Sequence, residues 1–290
     1  MTATVQSFHH APTGTWSHIV SDPLSRTAAI IDPVLDFDPA SGRVWTDTAQ
    51  QLLAHVREHA LHLEWILETH AHADHLTAAD WLKRALNGSP KVAIGAGIVA
   101  VQQHFRQVFG LDADFAVDGS QFDHLFADDE HFRIGNIDAH VLATPGHTAD
   151  GISYRFGDAV FVGDTLFAPQ AGTGRCDFPG ADAATQYGSI ERLYALPDAT
   201  GVYLCHDYPA AGVPPRAQTT IAAQKSENVQ LRATTSKADY IAMRTKRDAT
   251  LAVPRLLYPS LQVNIRAGRL PPADAQGRIF LRIPVTVDDL

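Results

Sequence analysis

Two hydrophobic periods divide the chain. Short apolar runs rich in β-branched and aromatic residues predict strands over residues 28–31, 64–69, 92–95, 137–143, 152–156, 159–162 and 201–205. Between them apolar residues recur at helical spacing. Leu52, Leu53 and Val56 form a stripe in a helix opening at Thr46 or Asp47 and ending near residue 60, and a helix over 77–86 is stopped by Asn87-Gly88. Further helices are expected over 183–196 and 217–231, and a hairpin where Gly157-Asp158 separates two apolar runs. This alternation gives sheets flanked by helices. Beyond residue 231 the pattern weakens: 236–257 reads as helical, 258–272 as extended and 278–287 as a last strand. No internal repeat, low-complexity tract or flexible linker interrupts the chain. One domain over 1–290 is therefore expected, with 232–290 as an appendage packed on it.

Composition narrows the function. With 45% hydrophobic and 19% charged residues over 290 positions, the chain can bury a full core, and no run approaches the roughly 20 apolar residues that span a bilayer. The first residues, Met1 to Ser7, lack the basic and apolar segments of a leader, so a cytoplasmic location is the expectation. A net charge of −9 argues against nucleic-acid binding and requires local positive charge wherever an anionic substrate is held. Two cysteines, Cys176 and Cys205, are too few for a disulfide framework or a four-cysteine zinc site. A homodimer is the default assembly on general grounds.

The 15 histidines are the anomaly. Nine of them (His9, His10, His18, His55, His59, His62, His104, His124 and His131) lack ligand spacing and are read as surface residues or as braces for other groups. The dense stretch is Thr69-His70-Ala71-His72-Ala73-Asp74-His75, directly after a predicted strand. Three imidazoles and a carboxylate that converge at a strand end are a donor set for a borderline divalent ion. His147 in Thr-Pro-Gly-His-Thr, Asp164 in Phe-Val-Gly-Asp and His206 in Val-Tyr-Leu-Cys-His also end predicted strands. Taken singly, these could be a turn residue, a helix cap and a core histidine; as a set they predict a metal centre at one sheet edge.

The ordered series Asp32, His70-x-His72-x-Asp74-His75, His147, Asp164 and His206 resembles the five motifs of the metallo-β-lactamase superfamily. The fold this resemblance implies is a four-layer αβ/βα sandwich. Gly163-Asp-Thr-Leu-Phe167, Gly174-Arg-Cys-Asp-Phe-Pro-Gly180, His206-Asp-Tyr208 and the tail from Leu261 to Pro272 further resemble the persulfide dioxygenases, in their bacterial branch. By that resemblance His70, His147 and Asp164 hold one Fe(II) per chain and form the catalytic centre, with coordination positions left for dioxygen and a thiolate. Asp32, His72, Asp74, His75 and His206 then brace the ligands or line an unused second metal site. The implied reaction oxidises glutathione persulfide with O2 and water to sulfite and glutathione. Arg175, Tyr208 and Lys225 are its expected substrate contacts. The alternative is a glyoxalase II-like thioester hydrolase with two metals, since every two-metal ligand position is filled. A non-catalytic binding module on the same fold is the remaining reading; it would need no complete ligand set.

Overall fold

The computed structural model describes residues 2–209 and 212–287. The first half of the chain runs β1 (Thr4–His10), β2 (Thr15–Ser21), β3 (Thr27–Ile31), β4 (Val34–Asp38), β5 (Arg43–Trp45), α1 (Asp47–Glu58), β6 (His62–Leu67), β7 (Leu76–Thr77), α2 (Ala79–Ala85), β8 (Lys91–Gly95), α3 (Ile98–Val108) and β9 (His124–Phe126). The second half runs β10 (His131–Ile134), β11 (Ile137–Ala143), β12 (Ile152–Phe156), β13 (Ala159–Phe161), α4 (Ala183–Tyr194), β14 (Gly201–Tyr203), β15 (Gln218–Thr220), α5 (Ile221–Glu227), α6 (Lys237–Asp248) and α7 (Leu257–Asn264).

One sheet has the order β1-β2-β3-β6-β8-β9, a second runs from β10 to β15 in sequence, and a small third one has the order β5-β4-β7. Strand periodicity explains the layers. Ala29 and Ile31 of β3 face the second sheet, meeting Phe156 and Phe161 among others, while Ala28 and Ile30 face Leu52 and Val56 of α1 and their neighbours. With both faces buried, β3 and the parallel β6 and β8 read as continuous apolar runs rather than alternating ones. Ile190, Leu193 and Tyr240 of α4 and α6 cover the far face of the second sheet. The result is the expected helix–sheet–sheet–helix sandwich. Among the described residues, no helix is long and apolar enough to cross a membrane.

Strands over 137–143 and 152–156 form as read, and Gly157-Asp158 makes the tight turn between β12 and β13 with Gly157 at φ 61°. The helix expected over 77–86 starts at Ala79 because Thr77 pairs with Val34 in the small sheet; Asn87 and Gly88, both left-handed, end it. The helix expected over 217–231 is shorter. Its first residues pair as β15, and Thr220 Oγ1 accepts from Ala223 N to begin α5. The helix expected over 236–257 stops at Asp248.

The tail requires two corrections. The stretch 258–272 is not extended: Leu257–Asn264 is helical, with Pro259 in the first turn, where a proline is tolerated. Its Leu261 and Val263 pack into the helix layer around α1 and α3, so tertiary burial overrides the β-branched pattern. No strand forms over 278–287. That segment finds no sheet edge, and Arg282 ties it down through Gln262 and the carbonyls of Phe109 and Gly110. Residues 1, 210, 211 and 288–290 of the expected domain lie outside the described residues. The sequence reading missed the β1–β2 hairpin and α3.

His18 joins the two sheets. Its Nε2–H donates to the Leu204 carbonyl at 2.9 Å, so its Nδ1 accepts from Ser7 Oγ at 2.8 Å. Burial depresses its pKa to about 4, from an ordinary 6.5. Between those values the unfolded chain takes up a proton that the folded chain refuses, so stability falls as pH drops through this window and levels off below it. The full effect is about 3 kcal/mol. Urea unfolding of metal-free protein at pH 7 and pH 4.5 should lose correspondingly less in His18→Asn than in the wild type.

Candidate metal centre

Strand ends gather the candidate ligands. β3 ends before Asp32, β6 before the 68–75 loop, β11 before His147, β13 before Asp164 and β14 before His206. Asp32 turns the chain at φ 49°, and its carboxylate accepts from Thr69 N at 2.8 Å and Thr69 Oγ1 at 2.9 Å. The Thr69 hydroxyl proton is thereby spent on Asp32, so its oxygen accepts from His70 Nδ1–H at 3.1 Å. His147 Nδ1–H donates to the Arg175 carbonyl at 2.7 Å. Both rings therefore present an Nε2 lone pair.

His70, His147 and Asp164 are buried and bring one ligand atom each within 4.8 Å of the others. A second group, His72, His75, Cys205 and His206, lies beside it, and a third joins Asp32, Glu68 and His72. Asp164 links the first two groups: Oδ2 is 3.5 Å from His147 Nε2 and Oδ1 is 3.4 Å from His206 Nε2. Asp74 faces His206 at 3.1 Å. His70 Nε2, His75 Nε2, His206 Nε2 and Asp164 Oδ1 are all buried without a hydrogen-bond partner. Each such group costs about 1–3 kcal/mol if nothing satisfies it. Coordination of a divalent ion would satisfy them, and the donor set suits one.

Electrostatics separates the histidines. Burial, reinforced by the neighbouring imidazoles, holds His70 well below its ordinary value, so it stays neutral and able to ligate. Burial likewise pushes His75 down to about 3. His72 goes the other way: burial opposes its charge, but Asp32 at 3.0 Å and Glu68 at 3.9 Å lift it to about 10. Glu68 is pushed up to about 8 by burial and by Asp32, and Thr77 Oγ1 donates to it. His72 thus meets carboxylates on one side, while its ring lies 4.0 Å from that of His70 and its nitrogens group with His75, Cys205 and His206.

A cavity of about 620 Å³ opens over His147 and Asp164, within the range of small-molecule sites. Tyr208 lines it, its ring parallel to that of His206 at 5.7 Å. Arg175 also lines it, but its guanidinium is held by both Asp177 oxygens, at 2.5 and 2.6 Å, and by the Ala252 carbonyl. Lys225 pairs with Asp198 at 2.7 Å and is not among the lining residues. Arg244 is buried against Asp248. Arg247 and Arg255 line the cavity, and among the described residues neither guanidinium makes an ion pair or a hydrogen bond. Sequence reasoning missed both, since nothing local distinguishes a paired arginine from an unpaired one. It also missed Asp150, whose carboxylate accepts from Ala71 N at 2.8 Å; a second carboxylate three residues after His147 was the available signal.

A sandwich with His and Asp clusters at one edge of its sheets defines a class. The metallo-beta-lactamase superfamily model matches residues 17–206, and the chain belongs to that superfamily. It is 45% identical over 284 residues to Glyoxylase B2 of Dictyostelium discoideum, a match covering 98% of this chain and 97% of that protein. It is 28% identical over 263 residues to the mitochondrial persulfide dioxygenase ETHE1 of Bos taurus, covering 89% and 87% of the two chains. The crystal structure of ETHE1 from Myxococcus xanthus superposes with a TM-score of 0.72 at 30% identity, covering 92% of this chain and 100% of that one.

Proposed function

We propose that this protein is a persulfide dioxygenase that converts glutathione persulfide, dioxygen and water into glutathione, sulfite and two protons at a single Fe(II) held by His70, His147 and Asp164. The observation that carries this reading is the His70, His147 and Asp164 group itself, one carboxylate with two imidazoles whose Nδ1–H groups are both spent on neighbours. His72 stands apart from these three, with Asp32 3.0 Å from its Nε2 and with His75, Cys205 and His206 as its possible co-ligands. A two-histidine, one-carboxylate set is the donor pattern of non-haem iron oxygenases. The likeness to the ETHE1 structure over the whole length of that chain supports the same reading.

The iron, when bound, supplies open positions for dioxygen and a thiolate sulfur. The chain supplies geometry and charge. Thr69 and the Arg175 carbonyl fix the ring orientations of His70 and His147, and Tyr208 offers a hydroxyl at the cavity wall. Arg175 and Lys225 are already paired, so the carboxylates of the tripeptide fall to Arg247 and Arg255. Arg247→Ala and Arg255→Ala should each raise KM by about 10- to 150-fold, as for a charge-assisted hydrogen bond, with kcat within about twofold of wild type. Steady-state kinetics checks this; an unchanged KM in both variants removes them from the substrate site.

The second reading is a dinuclear, glyoxalase II-like thioester hydrolase. The name of the 45% identical relative favours it, and on relatives' names alone it is the better supported of the two. The filled second group of ligands is compatible with it. One preparation offered glutathione persulfide and a glutathione thioester in parallel separates them. Sulfite from the first and no thiol release from the second is the expected result; the reverse establishes the hydrolase.

A further inference from the structure

The tail reaches the metal loop through one side chain. Asn264, at the end of α7, is buried, and its Nδ2 donates to the carbonyls of His72 at 2.7 Å and His75 at 2.8 Å. Its Oδ1 accepts from Thr77 N at 2.9 Å. One amide thus fastens both ends of the turn that carries Asp74 and His75, across some 190 residues of chain. This turn has no helix or strand of its own, so its carbonyls depend on partners from elsewhere. The next turn of the tail presses equally close: a Cβ on Gly268, at φ +85°, would lie 2.9 Å from Asp80 N and 3.2 Å from Thr77 O.

We infer that Asn264 is a positioning residue of the metal centre, setting the backbone of the 72–75 turn and through it the disposition of His72, Asp74 and His75 beside His70. The inference rests on the reading of His70 as a metal ligand, but not on which reaction the metal serves. An amide is required because the site needs two donors and one acceptor together; aspartate keeps the acceptor and loses the donors. Gln102 provides an internal control. It is also buried, bonds the neighbouring Ile265 carbonyl at 2.9 Å, Gln121 and Gly119, and among the described residues makes no hydrogen bond to the metal loop.

The test compares full-length Asn264→Asp, Asn264→Ala and Gln102→Ala, each loaded with Co(II) in place of iron, by visible absorption, competition with a chelator, and melting. All three should melt below wild type. The two Asn264 variants should also shift the Co(II) bands and release the ion about 10- to 100-fold more readily, while Gln102→Ala keeps the wild-type spectrum and affinity. Folded Asn264 variants with a wild-type spectrum and affinity overturn the inference. So does failure of both to fold, which would make Asn264 a folding residue only. If wild type binds no Co(II) at all, the underlying metal reading fails instead.

Discussion

Asp164→Ala is expected to leave a folded protein that retains no metal and turns over no substrate. Asp164 is the one carboxylate in the His70 group, and its two oxygens face His147 and His206 separately. Four-ligand structural zinc sites are worth about 10–16 kcal/mol, so one ligand of three carries several kcal/mol, on the order of 10²- to 10³-fold in affinity. Far-UV circular dichroism should be unchanged, because the side chain lies at the sheet edge and packs into none of the three apolar cores. Metal analysis after gel filtration checks the prediction; wild-type metal content in the variant would remove Asp164 from the ligand set.

Gly174→Ala is expected to damage the same centre without touching a ligand. A Cβ there would fall 2.1 Å from the Asp164 carbonyl oxygen and 3.0 Å from His147 Nδ1. The first distance is impossible, so the loop or the Asp164 backbone must move, and the Arg175 carbonyl that orients His147 moves with it. Overpacking of this kind costs about 1–3 kcal/mol of stability. Displacing the group that orients a ligand weakens metal binding by about 10- to 100-fold. Melting curves and chelator competition read the two effects; an unchanged affinity would mean that the 172–176 loop does not set the His147 ring.

What the sequence reveals follows from how local the physics is. His70 to His75 cluster within six residues, and His147, Asp164 and His206 each close an apolar run, so the ligand groups are legible from order and spacing. Which histidine belongs to which group is not. His72 and His70 stand two positions apart, and what separates them electrostatically is Asp32, 40 positions upstream of His72, together with Glu68. Arg175 is expected at the substrate because a guanidinium pairs with a carboxylate, and it does line the cavity, with Asp177 as its partner there; Arg247 and Arg255 carry no local mark. The tail misleads in a similar way. The run Leu261-Gln-Val-Asn-Ile265 has the composition of a strand and becomes mostly helix because the layer over α1 and α3 buries it. β1 is illegible for the opposite reason: at the sheet edge, its polar and half-buried residues give no continuous apolar run.

The central claim is a mononuclear, oxygen-activating centre built from His70, His147 and Asp164. Its most direct test is oxygen consumption by ferrous-loaded protein on addition of glutathione persulfide, with metal counted on the same sample. Rapid uptake with sulfite formed and about one iron per chain is the predicted result. No uptake, with about two metal ions per chain bound across both ligand groups, would contradict it.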